Sequence, residues 1–409
     1  MNNTKHILVV GGGAAGLIAA GFAARRGLSV TILERNDNVA RKVMITGKGR
    51  CNLTNNCTVE EFMENVPKNP RFLYSSINGF TPHDTMRLIE SLGVPLKTER
   101  GRRVFPQSDK AADIVDALRR FALKSGAKIL KGRAVSLTIE NGELKGVATE
   151  NGGCIKADAV IVSTGGKSYP LTGSTGDGYV MARQAGHTIT ELSPSLVPIV
   201  TSDADIRQAQ GLSLKNVTVT VKCGDKTILC ELGEMLFTHF GVSGPLILSA
   251  SSHMRDIGKK QYAISIDLKP GLDMQQLDAR ILRDFEKYRN SFLQNSLGDL
   301  LPKSIIPVII GRSKVAGDTV INQITKKQRQ DIADAIKNLT LSVTGFRPIE
   351  EAIITSGGVS VREIDPKTMQ SKKLPGLYFA GEVIDVDAYT GGYNLQIAFA
   401  TGAAAGKNV

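Results

Sequence analysis

The chain has 409 residues, 42% of them hydrophobic, which suits a soluble globular protein of two or three domains. Lys and Arg number 51 against 39 Asp and Glu, and the formal charge of +12 implies either a solvated basic surface or a polyanionic partner. No apolar run is long enough to span a bilayer, and Cys51, Cys57, Cys154, Cys223 and Cys230 form no C-x-x-C pair, which argues against a redox disulfide, a zinc site and a secreted disulfide framework.

His6 to Val10 is a short continuous apolar run, as in a strand buried on both faces. It enters Gly11-Gly12-Gly13-Ala14-Ala15-Gly16, which fits G-x-G-x-x-G, and Leu17, Ala20, Ala23 and Ala24 then recur at helical spacing until Gly27. Leu28 to Leu33 is a second apolar run ending on Glu34. Strand, glycine turn, helix, strand and acid predict a dinucleotide-binding βαβ unit. Gly11 makes the turn, Gly13 lets the backbone approach a pyrophosphate, Gly16 lets helix and strand pack, and Glu34 accepts from the ribose hydroxyls. The N-terminal run is therefore read as a strand and helix and not as a signal peptide.

Residues 36–57 are rich in Gly, Lys and Asn around Thr46-Gly47-Lys48-Gly49-Arg50-Cys51-Asn52, and they predict a long loop whose N–H groups and cations face something anionic or electron-rich. The G-x-x-x-x-G-K-[ST] spacing of a P-loop is missing there. Residues 58–95 read as helical with a break at Pro82, Arg102 to Pro106 as an exposed basic turn, and 111–125 as a helix capped by Gly126. Strands follow at 128–130, 134–139 and 144–149, then a buried one at 159–162 that ends in Thr164-Gly165-Gly166. From Ser193 the pattern alternates, as at 217–221, 227–231 and 263–268, and predicts an antiparallel β region. Residues 272–338 read as helical, and strands return at 341–343 and 351–354.

Near the C-terminus a strand, Gly376 to Phe379, ends on Gly381-Glu382, and Gly391-Gly392-Tyr393-Asn394-Leu395-Gln396 opens a helix of small residues. An acid at a strand end facing a second glycine-rich helix start suits FAD better than NAD: Glu382 would hold the ribityl chain and Gly392 to Leu395 would approach the isoalloxazine. The scattered histidines give no metal site.

The blocks Gly11 to Gly16 with Glu34, Thr46 to Asn52, Val104-Phe105-Pro106, Phe237 to Pro245, and Gly381-Glu382 with Gly391 to Gln396 resemble those of the YhiN/BaiN-like FAD-dependent oxidoreductases over nearly the whole chain. The resemblance implies an α/β fold: a Rossmann-type FAD-binding domain (1–192 and 355–409) of the two-dinucleotide-binding-domain kind, with an inserted antiparallel β domain (193–270 and 339–354) and a small helical domain (271–338). It puts FAD contacts on Gly11, Gly13, Ala14, Ala15, Gly16, Glu34, Arg35, Lys42, Thr46, Gly47, Gly49, Arg50, Cys51, Asn52, Ala134, Val135, Thr164, Gly165, Gly166, Gly381, Glu382, Gly392, Tyr393, Asn394, Leu395 and Gln396. Family members have been linked to reduction of 3-oxo bile-acid double bonds, to aminoacetone oxidation and to dihydrouridine in large-subunit ribosomal RNA. The reductive activities share one chemistry, hydride passing from NAD(P)H through flavin N5 to a C=C conjugated with a carbonyl, with an acid protonating the other carbon.

Cys51, His239 and Tyr393 are the candidate acids, and Lys48 and Arg50 beside Cys51 predict a lowered thiol pKa. Two basic clusters, Arg100, Arg102 and Arg103, and Lys326, Lys327 and Arg329, are not needed by FAD and are assigned to an RNA partner. The expectation is a cytoplasmic reductase acting on a uridine of 23S ribosomal RNA. The alternatives are a small-enone reductase, an O₂-using amine oxidase, and a flavin-containing RNA binder without turnover.

Overall fold

The computed structural model describes residues 4–254 and 257–409. The chain forms two compact units, Met1–Ser195 with Ile349–Val409, and Leu196–Pro348.

The first unit is built on a five-stranded parallel sheet in the order Leu377–Phe379, Ala159–Val162, His6–Val10, Ser29–Glu34, Lys128–Lys131. Ile7, Leu8 and Val9 are fully buried, as the continuous apolar run requires of a strand covered on both faces. Ala14–Arg25 is the crossover helix between the first two strands, and it packs against the closing helix Tyr393–Asn408. That contact is backbone on backbone: a Cβ added at Gly402 would stand 2.4 Å from the Ala15 carbonyl oxygen, and one at Gly406 would stand 2.3 Å from that of Ala19. Small residues here are a steric requirement.

Three helices, Val59–Glu64, Pro70–Gly79 and Pro82–Ser91, fill residues 58–95, with Pro82 at the first turn of the third and Thr81 and Asp84 forming its capping box. Three sequence expectations are corrected, the first being the strand read at 351–354, which begins only at Ile354 and runs to Ser356 after a short helical turn, Ile349–Glu351. Residues 36–57 are not one loop: Arg41–Ile45 is a short helix and Thr54–Asn55 a strand. Arg103–Pro106 is no exposed turn but the central strand between Thr54–Asn55 and Leu96–Glu99, with Val104 and Phe105 buried. The charges of Arg102 and Arg103 masked a strand whose apolar residues follow them.

In the second unit, six strands close a barrel in the order Ile199–Thr201, Gly241–Ser243, Lys226–Phe237, Ser213–Cys223, Tyr262–Asp267, Leu339–Phe346. Closure removes the exposed edges that such alternating strands would otherwise present. Helices Met274–Lys287, Ile306–Ser313 and Lys326–Lys337 share its hydrophobic core through Ile281, Ile309 and Ile336. Among the described residues, no helix is long and apolar enough to cross a membrane.

A buried histidine in the first unit gives a pH-dependent stability. His187 Nε2 lies 2.7 Å from Ser371 Oγ, its Nδ1 is 3.3 Å from Glu363, and its ring sits edge-on to Phe379. Burial holds its pKa below the ordinary 6.5, an effect that outweighs the opposing pull of Glu363. As pH falls through that ordinary value, the unfolded chain binds a proton that the folded chain declines, so stability present at neutral pH is lost on acidification. Denaturant titrations between about pH 7.5 and 5.5 are expected to show this loss, and His187→Gln is expected to flatten it. An equal slope in both proteins would rule His187 out as the cause.

Candidate functional site

The glycine turn after the first strand is set by its neighbours. Gly11 has φ +100°, and its N–H donates to the Leu33 carbonyl at 2.9 Å. A Cβ at Gly16 would stand 1.9 Å from the Gly11 oxygen, so the helix start is pressed onto the turn. Glu34 Oε2 accepts from the Gly12 amide at 2.7 Å, and Oε1 accepts from the Asn36 amide and side chain, both at 2.8 Å. A carboxylate has about four lone-pair sites, so one stays open to a ribose hydroxyl.

The loop beyond Glu34 is tightly coiled. Gly47, Lys48, Gly49 and Cys51 all have positive φ, and strained non-glycine backbone of this kind clusters at ligand sites. Thr46 is tied to the Val43 carbonyl at 2.7 Å. Arg50 bonds Glu99 and Asp109 and stacks over Phe105 with its Cζ 4.3 Å from the ring centre, while Lys97 donates to Asp109 at 2.6 Å. The Arg50 guanidinium therefore clips the loop to the three-stranded sheet. Cys51 reverses its expectation: it is fully buried, and burial pushes its thiol up to about 12, so Lys48 and Arg50 do not activate it.

At the other end of the site, Glu382 follows the last strand of the sheet. Its Oε2 accepts from Lys42 Nζ at 2.7 Å, and its Oε1 accepts from Ser168 Oγ at 2.9 Å and the Thr355 amide at 2.8 Å. Gly166 lies against this group, since a Cβ there would be 2.4 Å from Thr355 Oγ1 and 3.0 Å from Glu382 Oε1. Ser168 and Thr355 escaped the sequence reading: Ser168 lies in the loop that follows the buried strand Ala159–Val162, and Thr355 is the middle residue of the short strand Ile354–Ser356. Arg35 donates to Thr175 at 2.8 Å, and Asp177 also takes Arg133. Ala134 is buried and Val135 is exposed on the strand Ala134–Glu140.

The closing helix begins at Gly392, φ +97°, where a Cβ would stand 2.3 Å from the Thr54 carbonyl oxygen. Asn394 turns its side chain back on the loop, accepting from the Ala388 amide at 2.9 Å and donating to the Ala388 carbonyl at 2.7 Å. Gln396 is fully buried and its polar atoms are taken by Thr54, Thr85 and the Phe80 carbonyl, so its side chain serves the scaffold. Tyr393 packs edge-on against Phe62, and burial pushes its phenol up to about 12, with Cys57 and Glu61 adding to the effect. It keeps its proton throughout the neutral range. The Asn55 amide donates both to Gly101 O at 3.0 Å and to Gly391 O at 3.1 Å, which places the basic turn Arg100–Arg102 beside the Gly391–Gly392 turn. His239 belongs to the second unit, exposed and edge-on to Phe240.

Arg102 pairs with Glu61, Lys327 with Asp331 at 2.6 Å and Arg329 with Asp278 at 2.6 Å. Arg100, Arg103 and Lys326 have no carboxylate partner among the described residues, and Arg103 donates to the Arg100 carbonyl at 3.1 Å. Among the same residues, no group of three or more His, Cys, Asp or Glu could hold a metal ion.

A long dinucleotide fits these groups. A Cβ at Gly13 would meet no protein atom within 4 Å, and the helix it precedes has no side-chain cap, leaving its first N–H groups for a phosphate. Asn52 Oδ1 and Thr164 Oγ1 are buried with no hydrogen-bond partner among the described residues. Parallel sheet, glycine turn and second glycine-opened helix define a Rossmann-type flavoprotein that binds FAD. Residues 5–408 match the HI0933-like protein Rossmann domain, and the chain belongs to that family. It is 31% identical over 98% of both chains to a 3-dehydro-bile acid delta(4,6)-reductase of Clostridium scindens. It is also 32% identical to a ribosomal RNA dihydrouridine synthase of Haemophilus influenzae, over 98% of this chain and 97% of that one. The solved 3-ketosteroid-delta4-(5alpha)-dehydrogenase of Rhodococcus jostii shares the fold, with a TM-score of 0.52 and 14% identity over 100% of this chain and 96% of that one. The protein is an FAD-dependent oxidoreductase.

Proposed function

We propose that this protein reduces the carbonyl-conjugated C=C of a uridine in 23S ribosomal RNA, giving dihydrouridine at the expense of NAD(P)H. One hydride and one proton are added across the double bond, and the nicotinamide is oxidised. Bound FAD supplies the hydride chemistry, and NAD(P)H visits as electron donor. The chain's own part is to bind, orient and hold protons. The first-turn N–H groups at Ala14 to Gly16 and Glu34 take the dinucleotide at one end, and the Lys42–Glu382 pair and the Gly391–Gly392 turn take it at the other. The observation that carries the RNA reading is the Asn55 bridge: it sets the turn bearing Arg100, together with the neighbouring Arg103, next to the glycine turn of the closing helix. A small enone gives no reason for cations at that position, whereas an RNA phosphate does. An rRNA substrate also places the protein in the cytoplasm.

The test is mass spectrometry of 23S ribosomal RNA from cells with and without this gene. Loss of a uridine carrying two extra hydrogens on deletion, and its restoration by purified protein with NAD(P)H, supports the reading. An unchanged RNA map sinks it and turns attention to enones, the substrates named for the bile-acid relative. With RNA, the Arg100→Ala/Arg103→Ala double variant is expected to bind more weakly and to lower the salt slope by about 1.4 to 1.8, the contribution of two phosphate contacts. An unaltered slope would remove these two arginines from the interface.

A further inference from the structure

The segment between Glu382 and Gly391 carries two aspartates, Asp385 and Asp387, that are only 5% and 3% exposed. Carboxylates are buried at a cost unless they are paired and hydrogen-bonded, and the two solve this differently. Asp385 has the Lys68 ammonium 2.6 Å away. Asp387 has no cation within ion-pair distance among the described residues. Its Oδ2 accepts from Ser195 Oγ at 2.9 Å and its Oδ1 from Ser356 Oγ at 3.1 Å. Those serines stand on the antiparallel pair Ser193–Ser195 and Ile354–Ser356, one on each strand. Lys68 also donates to Ser356 Oγ at 3.3 Å, and its backbone forms a bridge with Asp387.

One carboxylate therefore bolts two strands to a segment that reaches the Gly391–Gly392 turn four residues later. A hydroxyl or an aliphatic side chain could fill the space, but only an acid accepts from a donor on each strand with a separate oxygen. Burial, reinforced by the nearby Asp385, pushes the Asp387 carboxyl up, and the two serines and Lys68 oppose it. An acid kept at this cost is better explained by the geometry it fixes than by stability, to which buried charges contribute little.

We propose that Asp387 is a positioning residue for FAD: its carboxylate fixes the Gly391–Gly392 turn to the strand pair and so sets the cofactor's affinity at the start of the closing helix. The inference rests on the reading that this turn holds FAD, and the experiment separates the two. FAD is titrated into the FAD-depleted full-length protein, with binding followed by flavin fluorescence and the visible spectrum of the bound flavin recorded. Asp387→Ala is expected to weaken FAD by about tenfold or more and to alter that spectrum, and Asp387→Asn, which keeps an acceptor oxygen, to restore affinity to within about threefold of wild type. Ser356→Ala leaves one of the two donors and is expected to weaken FAD by about threefold, which keeps the question answerable if Asp387→Ala does not fold. Wild-type affinity and spectrum in Asp387→Ala, or wild-type affinity in Ser356→Ala, overturns the proposal. If Gly392→Ala, which drives a Cβ into the Thr54 carbonyl, also binds FAD normally, the placement of FAD at the turn falls with it.

Discussion

Replacing Gly13 by valine is expected to give a folded protein with no flavin colour. Gly13 has φ −78° and ψ −171°, a backbone that any residue adopts, and its Cβ position is clear of protein atoms. The fold should pay no more than about 1 kcal/mol for the poorer helix cap. The new side chain instead occupies the space through which a pyrophosphate approaches the N–H groups of Ala14, Ala15 and Gly16. We expect FAD affinity to fall by at least about 100-fold, roughly 2.7 kcal/mol, with unchanged circular dichroism and a melting temperature within a few degrees of FAD-depleted wild type, both proteins being compared without the cofactor's own stabilisation. Gly16→Ala makes the contrast, because its Cβ would strike the Gly11 oxygen at 1.9 Å, so cofactor and fold should suffer together. Stoichiometric flavin in purified Gly13→Val would mean that the phosphates do not lie at this turn.

Gln396→Leu is expected to do the reverse, lowering stability while leaving the cofactor in place. The side chain is fully buried; it accepts from Thr54 at 2.8 Å and Thr85 at 2.7 Å and donates to the Phe80 carbonyl at 2.9 Å. Leucine matches its size but strands two hydroxyls and a carbonyl, each costing about 1–3 kcal/mol if left unpaired. Partial relaxation of the hydroxyls brings the expected loss to roughly 3 kcal/mol, read as a lower denaturation midpoint at unchanged slope. A loss under about 1 kcal/mol would show that the three partners find water or one another.

The first βαβ unit was legible in the sequence because its determinants are local: an apolar run, a glycine turn and an acid a strand-length later. The alternating segments 217–221 and 263–268 likewise announced antiparallel strands. That six strands close a barrel was not legible, because closure pairs Ile199–Thr201 with Leu339–Phe346 across more than a hundred residues and depends on which edges meet. Neighbours in sequence misled where they part in space. Arg50 precedes Cys51, yet its guanidinium turns to Glu99 and Asp109 while the thiol turns inward, so its charge never reaches the sulfur. Arg102 and Lys327 looked free in the chain and each has a carboxylate partner. The Asn55 amide and the serines at Asp387 left no pattern at all, since a single polar residue that spans distant segments has no periodicity to betray it.

The close approach of the closing helix to the crossover helix makes the first unit a stiff lever. Gly402 lies nine residues beyond Tyr393, about 13 Å along the helix axis. A pivot there has no rotamers with which to absorb error, because carbonyl oxygens and α-carbons meet directly. Pushing the helix out by about 1 Å at that point would tilt it by several degrees and shift its glycine-opened start by a comparable distance, enough to spoil a near-attack geometry. Tolerances at the reacting end are thus set far from it, by the absence of two side chains.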